Sequence, residues 1–358
     1  MRLDRETARR IAVRAAGLDE HRPPDAVAMV RELVSLRVEL TSILCPSADH
    51  IAYTRLGPSH RPVHLERALT DGRLFERGWL LHPMEDLPLF LAGMRTWLDR
   101  DGGRRWVDAN AAFRQGILDR IADEGPLTSR EIPDEAIVPW ESSGWTQDRN
   151  VTTMLDIMHM TGDLAVVGRV GRFRVWDLAE RVYPADAVEV PWDEARRRRA
   201  EQVLRASGVI RDSVTSAPGE LHTMPTVGEP VEIEGVPGRW RVDAEALASA
   251  HEPFAGRTAI LSPFDRLVFD RTRAEALWGF EYGVDMYKPA SRRRWGPFAL
   301  AVLHEERLVG KVDARADRAS GEFVVNAVHE DEPFTASMTE AVHDELDGFA
   351  AWLGLRIA

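Results

Sequence analysis

The sequence predicts an α+β protein in which small helical modules come first and a strand-rich region comes last. Up to residue 208 the apolar residues recur mainly at helical spacing, and short alternating runs bounded by glycine separate the helical segments. From residue 258 several short alternating runs follow one another, and a final helical pattern covers 335–353. At 358 residues the chain should divide into roughly two to four domains.

The composition excludes several classes of protein. No apolar run is long enough to span a membrane, and the first residues lead into a charged helix rather than a signal peptide. A single cysteine, Cys45, excludes an internal disulfide and a cysteine-based zinc site. The spacing of histidines and acidic residues indicates no metal, and nothing indicates a cofactor. We expect a cytoplasmic, nucleoid-associated monomer with no membrane partner.

The net charge of −12 argues against a protein that coats nucleic acid indiscriminately, but it is compatible with a local basic surface. Residues 1–100 are predicted to form a first winged-helix or related helix-turn-helix domain. Its helices are predicted at 4–17, from Asp25 as N-cap to residue 33, and at 64–69. Residues 51–58 are predicted to be a short strand closed by a Gly-Pro turn.

Residues 101–185 are predicted to form a second winged-helix domain. Helical patterns cover 108–124 and 145–161, and a short helix capped by Thr128 or Ser129 should lie between them. Gly162 is in the usual position to end the third helix, and strands at 164–169 and 172–176 form a hairpin across Val170-Gly171. Three helices followed by a hairpin define the winged helix, with the third helix for recognition and the hairpin as the wing.

The wing carries three arginines, Arg169, Arg172 and Arg174. The two-residue period of a strand predicts that Arg172 and Arg174 share a face. These side chains either contact DNA phosphates or form an ordinary solvated hairpin face.

Residues 186–257 are predicted to form a third, less regular winged-helix domain. A basic helix at 191–208 carries four consecutive arginines, which either face solvent or contact phosphates. Strands at 231–233 and 240–242 are predicted to pair as a hairpin.

Residues 258–358 are predicted to form a small β-barrel or strongly curled sheet closed by the C-terminal helix. The strand patterns cover 260–271, 280–287, 298–303, 308–314 and 322–328. A basic loop lies among them and is predicted to bind DNA through Lys288, Arg292, Arg293, Arg294 and Trp295. The alternative is a solvated loop with Trp295 folded onto the barrel.

Residues 34–40 form an apolar run that contains Arg37 and Glu39. In an extended segment residues two apart point to the same face, so the two charged side chains should emerge side by side. Charged groups are rarely placed in such a run unless they are paired or used. They form either an ordinary surface ion pair or part of a functional site.

Nearly the whole chain resembles the bacterial winged-helix DNA glycosylases of the AlkZ/YcaQ type. The resemblance rests on short motifs that follow one another in the family's order: Gly125-Pro126-Leu127, Gly162-Asp163-Leu164, Arg174-Val175-Trp176-Asp177-Leu178, Glu180-Arg181-Val182, Leu261-Ser262-Pro263-Phe264-Asp265, Asp270-Arg271, Phe280-Glu281-Tyr282, Met286-Tyr287-Lys288-Pro289-Ala290, Arg293-Arg294-Trp295-Gly296 and Leu308-Val309-Gly310-Lys311-Val312-Asp313. It implies tandem winged helices and a C-terminal barrel that form a C-shaped cradle around double-stranded DNA. The implied activity is removal of N7-alkylated purines or unhooking of interstrand crosslinks.

The family's catalytic signature is a glutamine, any residue, then aspartate or glutamine. In the frame set by the downstream Arg55-Leu56-Gly57, this chain has Arg37-Val38-Glu39, so a carboxylate is kept and the glutamine is replaced. A second family element, a Trp-Ala-His-Glu-Ala-like segment, is replaced by a shortened run at 77–82. The resemblance implies Glu39 and Arg37 as catalytic residues and Arg55 as a further contact to DNA.

Two functions therefore remain open. In the first, Glu39 stabilises an oxocarbenium-like sugar and directs a water molecule to its C1′ atom, which makes the protein a DNA glycosylase. Arg37 only donates hydrogen bonds and would repel a cationic base. In the second, the protein binds DNA without catalysis, as a lesion sensor, a regulator or a genotoxin self-resistance factor.

Overall fold

The computed structural model describes residues 1–40, 43–101, 103–141, 149–212 and 225–358. The chain divides into two compact units. Unit 1 is discontinuous in sequence and comprises Met1–Leu65 and Arg199–Ala358, whereas unit 2 is the continuous segment Glu66–Arg198. Among the described residues no helix is both long and apolar enough to cross a lipid bilayer.

The elements are numbered in chain order. The α-helices are α1 (Arg5–Ala15), α2 (Ala26–Leu33), α3 (Ser47–Leu56), α4 (Pro62–Thr70), α5 (Pro88–Arg95), α6 (Trp97–Asp101), α7 (Arg104–Ala109), α8 (Ala111–Glu124), α9 (Asn150–Thr161), α10 (Ala179–Val182), α11 (Trp192–Ser207), α12 (Ala244–Ala248), α13 (Arg266–Phe269), α14 (Arg271–Trp278) and α15 (Ala336–Trp352). The strands are β1 (Arg2–Leu3), β2 (Leu36–Arg37), β3 (Leu74–Arg77), β4 (Leu80–Pro83), β5 (Leu127–Thr128), β6 (Leu164–Val170), β7 (Phe173–Leu178), β8 (Val209–Arg211), β9 (Glu229–Ile233), β10 (Val236–Val242), β11 (Thr258–Leu261), β12 (Leu300–His304), β13 (Arg307–Asp317), β14 (Glu322–Glu330) and β15 (Arg356–Ile357).

Capping side chains fix the helix ends that the sequence predicted. The Asp4 carboxylate accepts from the Thr7 N–H at 2.7 Å at the start of α1, and Asp25 accepts from Val27 and Ala28 at the start of α2. Gly162 ends α9 in the left-handed region at φ 83°, where a side chain would be strained. The helices predicted at 4–17, 25–33, 64–69, 191–208 and 335–353 are confirmed within a few residues, and the predicted start of α9 at 145 lies outside the described residues.

Residues 51–58 do not form the predicted strand. They belong to α3 and to the single helical turn after it, which begins at Gly57 with φ 71°. Nearly every residue of α3 is buried, from Ser47 to Arg55. A helix that is buried all round has no amphipathic pattern, so its consecutive apolar residues were indistinguishable from a short buried strand.

Unit 1 contains two sheets, with strand orders β1-β9-β10-β8 and β11-β12-β13-β14-β15. The predicted hairpin of β9 and β10 is confirmed. The five-stranded sheet is buried on both faces where β11 and β12 lie. Alternate residues Ile260, Leu300 and Val302 pack with Phe349 and other residues of α15, whereas their neighbours Ala259, Leu261 and Ala301 pack in a second cluster with Trp240 and Phe280.

The closed barrel predicted for residues 258–358 is not confirmed, because the ladder of the described strands ends at β11 and β15. The strand pattern at 260–271 was too long, since Asp265 and Asp270 cap the short helices α13 and α14. The strand predicted at 280–287 is also wrong. Phe280 and Tyr282 are buried at alternate positions, but they belong to an irregular segment in which the Tyr282 hydroxyl donates to the Ala299 carbonyl at 2.6 Å.

Unit 2 contains a three-stranded sheet of order β5-β7-β6 and a separate hairpin of β3 and β4. The predicted hairpin of β6 and β7 is confirmed, and its turn contains Gly171 at φ 58°. The short helix predicted near Thr128 is replaced by β5 and a turn, in which the Thr128 N–H and hydroxyl donate to Glu131 at 2.8 and 2.7 Å. Within the described residues no helix lies between Thr128 and Asn150.

Candidate active site

The segment that contains Arg37 and Glu39 alternates between buried and half-buried residues. Leu36 and Val38 are buried, whereas Arg37 and Glu39 are half-buried. The two charged residues are therefore both accessible from solvent, as the period-two pattern predicted. A carboxylate that keeps contact with solvent can reach a water molecule or a ligand.

Ser47, the first residue of α3, holds the backbone of this segment. The Glu39 N–H donates to Ser47 Oγ at 2.8 Å, and the Ser47 hydroxyl donates to the Arg37 carbonyl at 2.9 Å. The Ser47 N–H in turn donates to the Glu39 carbonyl at 3.0 Å. Three hydrogen bonds to one buried residue thus fix the direction from which the Glu39 side chain emerges. Sequence reasoning missed Ser47, because the helix that it begins was not predicted.

The helix α13 holds the same segment from a second side. Arg266 Nη2 donates to the Leu33 carbonyl at 3.1 Å and lies 2.9 Å from Ser35 Oγ. Between these two partners Val34 adopts φ 64°, a backbone conformation that is strained for a β-branched residue. The Arg37 guanidinium lies 4.9 Å from the centre of the Phe269 ring.

Arg55 does not contact DNA as predicted, because it is fully buried within unit 1. Its guanidinium forms a two-pronged ion pair with Asp265 and donates to the Ala16 carbonyl at 2.9 and 3.0 Å. A buried guanidinium with these partners cannot reach a phosphate. The pair joins two of the sequence motifs. Arg55 comes from Arg55-Leu56-Gly57, and Asp265 comes from Leu261-Ser262-Pro263-Phe264-Asp265.

Burial shifts the pKa values of a histidine on α3 and of a carboxyl group on α15. Removal from water lowers the pKa of His50 to about 4, although the ring bonds the Ile260 carbonyl at 2.8 Å and stacks on Phe349. Burial raises the pKa of the Glu345 carboxyl on α15 to about 7, against the opposing effect of the Arg257 and Arg22 charges. Uncharged His50 is therefore part of the packing that supports α3.

Two of the three wing arginines of unit 2 are held by a buried carboxylate. Glu76 forms ion pairs with Arg169 and, at 2.6 Å, with Arg174. Arg174 also bonds Asp156 at 2.9 Å and lies 3.5 Å from the centre of the Trp79 ring. The predicted phosphate contact of Arg174 is therefore wrong, and that of Arg169 is disfavoured, since each would have to break a buried ion pair.

The predicted common face of Arg172 and Arg174 is also wrong. Arg174 is buried in β7, opposite Arg169 in the ladder. Arg172 lies in the turn of the hairpin and is exposed, with its guanidinium 5.3 Å from the centre of the Phe173 ring. It is the wing arginine whose surroundings remain suitable for a phosphate.

The basic loop of unit 1 is exposed, but Trp295 is not its outermost aromatic residue. Trp295 is half-buried, packs against the core of unit 1 and lies 4.5 Å from the Nζ atom of buried Lys311. Arg294 covers it further, 4.4 Å from the ring centre. The wedge role predicted for Trp295 is therefore disfavoured. Lys288 and Arg292 are exposed, as is Arg294, whereas Arg293 is half-buried.

The chain is similar to the solved structure of the Streptomyces sahachiroi DNA glycosylase AlkZ, with a TM-score of 0.66 and 18% sequence identity over 100% of both chains. The family model "DNA glycosylase AlkZ-like" matches residues 38–352. The chain therefore belongs to the AlkZ-like DNA glycosylase family. The match begins at Val38, inside the segment that Ser47 and Arg266 hold.

Proposed function

We propose that this protein is a DNA repair glycosylase that hydrolyses the N-glycosidic bond of bulky or cationic alkylated purines, and that it also unhooks interstrand crosslinks. The observation that carries the proposal is Glu39, a half-buried carboxylate on a segment fixed by three hydrogen bonds to Ser47. Glu39 corresponds to the third position of the family's signature, where the family has an aspartate or a glutamine. Membership of the AlkZ-like family supports the reaction class.

The chemistry needs one carboxylate in a fixed position. An N7-alkylated purine is positively charged and leaves readily, so the enzyme has to stabilise the positive charge that develops on the sugar. The Glu39 carboxylate can do so and can accept a proton from the water molecule that attacks C1′. The hydrogen bonds to Ser47 fix its backbone before substrate arrives, which reduces the reorganisation needed in the reaction.

A second candidate function is DNA binding without base release, by a lesion sensor, a regulator or a self-resistance factor against a genotoxin. Arg37 favours it, because a guanidinium replaces an amide next to Glu39 and only donates hydrogen bonds. The Arg37 guanidinium lies 4.9 Å from the centre of the Phe269 ring, which can stabilise its charge. The positive charge still repels a cationic base.

We further propose that the protein acts as a monomer on double-stranded DNA, close to the nucleoid. In unit 2 the order α8, β5, α9, β6, β7 matches a winged-helix domain at 101–185 with α9 as recognition helix, except that the described residues form no helix between β5 and α9. We propose further winged helices at 1–100 and 186–257, and a barrel-like domain at 258–358 that contains the five-stranded sheet of β11 to β15.

The test is release of base from a duplex that contains N7-methylguanine, measured as abasic sites. The wild-type protein should release the base, and Glu39→Ala should slow release by about 10²–10⁴-fold while DNA affinity stays similar. Glu340→Ala, at an exposed position of α15, is the matched control and should leave the rate unchanged.

Salt-sensitive binding of the same duplex without base release would instead establish the second function. Crosslink unhooking is measured separately, by separation of the two strands of a crosslinked duplex on a denaturing gel. Persistence of the joined strands with active wild-type enzyme would reject that part of the proposal.

A further inference from the structure

The basic loop of unit 1 is held in shape by its own polar groups. Asp285 pairs with Lys288 at 2.8 Å and accepts from the Arg294 N–H at 3.1 Å. The Arg293 side chain donates from Nε to the Lys288 carbonyl at 2.9 Å. These bonds connect the two ends of the loop, so the residues between them are presented in a defined arrangement.

Tyr287 is the aromatic residue that this arrangement exposes. Its side chain is 87% exposed, whereas Tyr53 and Tyr282 are buried and Tyr183 is half-buried. It lies between two residues used in bracing the loop, Asp285 and Lys288. An aromatic ring that a braced loop keeps in water can stack on a partner without first leaving a packed position.

The charge around Tyr287 indicates the chemistry of that partner. From Met286 to Pro297 the chain carries Lys288, Arg292, Arg293 and Arg294 and no acidic residue. The exposed guanidinium of Arg292 suits phosphate, and an aromatic ring beside cations suits the stacking of a nucleobase.

We propose that Tyr287 is the residue with which this loop binds DNA, by stacking on a nucleobase that has left the helical stack. This inference rests on the DNA-binding part of the proposed function and adds a specific contact to it. The role that the motif suggested for Trp295 thus belongs to a residue eight positions earlier, because Trp295 is covered by Arg294 and packs on the core.

The test compares full-length variants in binding to two labelled duplexes, one undamaged and one with a tetrahydrofuran abasic analogue, which leaves the opposite base unpaired and easier to unstack. Tyr287→Ala should weaken binding to the abasic duplex by roughly 5- to 150-fold, the equivalent of one lost base–aromatic stack. Its effect on the undamaged duplex should be smaller, and Tyr287→Phe should bind like wild type because the ring is kept.

Two controls separate stacking from charge. Tyr287→Ala removes no charge, so the dependence of affinity on salt should not change, whereas Arg292→Ala should reduce the slope of log K against log salt by about one. Val188→Ala removes another apolar side chain that is 77% exposed, but it lies between Asp186 and Glu189, where a phosphate would be repelled. It should leave binding unchanged.

Equal binding of the abasic duplex by Tyr287→Ala and wild type would overturn the inference, and so would a complete absence of DNA binding by wild type. Base release is measured in the same preparations. Wild-type binding without release would reject the enzymatic function, and the comparison of Tyr287 variants would still decide the role of Tyr287.

Discussion

Arg55 and Asp265 are 210 positions apart in the chain, and they form a buried ion pair with Arg55 Nη2 at 3.0 Å from Asp265 Oδ1. Arg55 lies on α3, which begins with Ser47. Asp265 caps α13, which carries Arg266 and Phe269. The pair therefore joins the two helices that hold the segment containing Arg37 and Glu39.

Loss of one member of this pair should destabilise the protein. We expect Arg55→Met to lower the free energy of unfolding by about 3–5 kcal/mol, because it leaves the Asp265 carboxylate buried without its partner. Adding Asp265→Asn, which keeps an oxygen for the cap of α13, should recover part of the loss. Urea unfolding measures both. A double variant no more stable than Arg55→Met would contradict the explanation.

Arg266 should act as a positioning residue for Glu39. Arg266→Ala removes the bonds to the Leu33 carbonyl and Ser35 Oγ that flank the strained Val34, so the segment can relax away from its active conformation. We expect base release to slow by about tenfold or more with little change in DNA affinity. The experiment measures kcat and DNA affinity separately, because loss of a positioning residue should lower kcat and leave the affinity nearly unchanged.

The control for Arg266 is Arg271→Ala, an exposed arginine at the start of α14, which should retain the wild-type rate. Arg266→Lys should recover part of the activity, since an ammonium can still donate to one of the two oxygens. A parallel loss of DNA affinity and rate in Arg266→Ala would indicate a different role.

Restoring the family's amide at position 37 should raise the rate on a cationic base. If the cationic base binds about 10 Å from the guanidinium, the two charges repel by about 1.7 kcal/mol at an effective dielectric constant of about 20, which corresponds to more than tenfold in kcat/KM. Arg37→Gln should therefore release N7-methylguanine faster, whereas Arg37→Lys should not. A slower Arg37→Gln variant would show that the guanidinium assists the reaction.

The wing arginines should separate into two classes. Arg172→Ala should weaken DNA binding and reduce its salt dependence by about one phosphate contact, because this side chain is exposed in the turn. Arg174→Ala should mainly lower thermal stability, because it removes a partner of buried Glu76. Similar effects of the two variants on the salt slope would refute this division.

His50 should make stability depend on pH. Its folded pKa of about 4 lies below its ordinary value of 6.5, so the unfolded chain takes up the proton first as the pH falls. The contribution of neutral His50 is present above about pH 6.5 and is lost as the pH falls towards 4, amounting to about 3 kcal/mol. Denaturant unfolding of wild type and His50→Gln at several pH values should show a flatter profile for the variant.

Local signals predicted much of the secondary structure. Asp25 was predicted as a helix cap and is confirmed, and the two runs around Gly171 predicted the hairpin of β6 and β7. The strand predictions failed where burial removed the periodicity, as in α3, or where a capping aspartate interrupted an apolar run, as at Asp265. Both failures arise from tertiary contacts that a short window does not contain.

The sequence by itself determined the family, the order of its motifs and the presence of Arg37 and Glu39 two positions apart on one short segment. Only the tertiary structure decided which cationic side chains are held in buried ion pairs and which are exposed and can reach DNA phosphates. Glu76 lies 93 positions before Arg169, and Asp265 lies 210 positions after Arg55. A charged side chain is held in the interior by a carboxylate that the fold brings to it, and the spacing of residues along the chain does not contain that information.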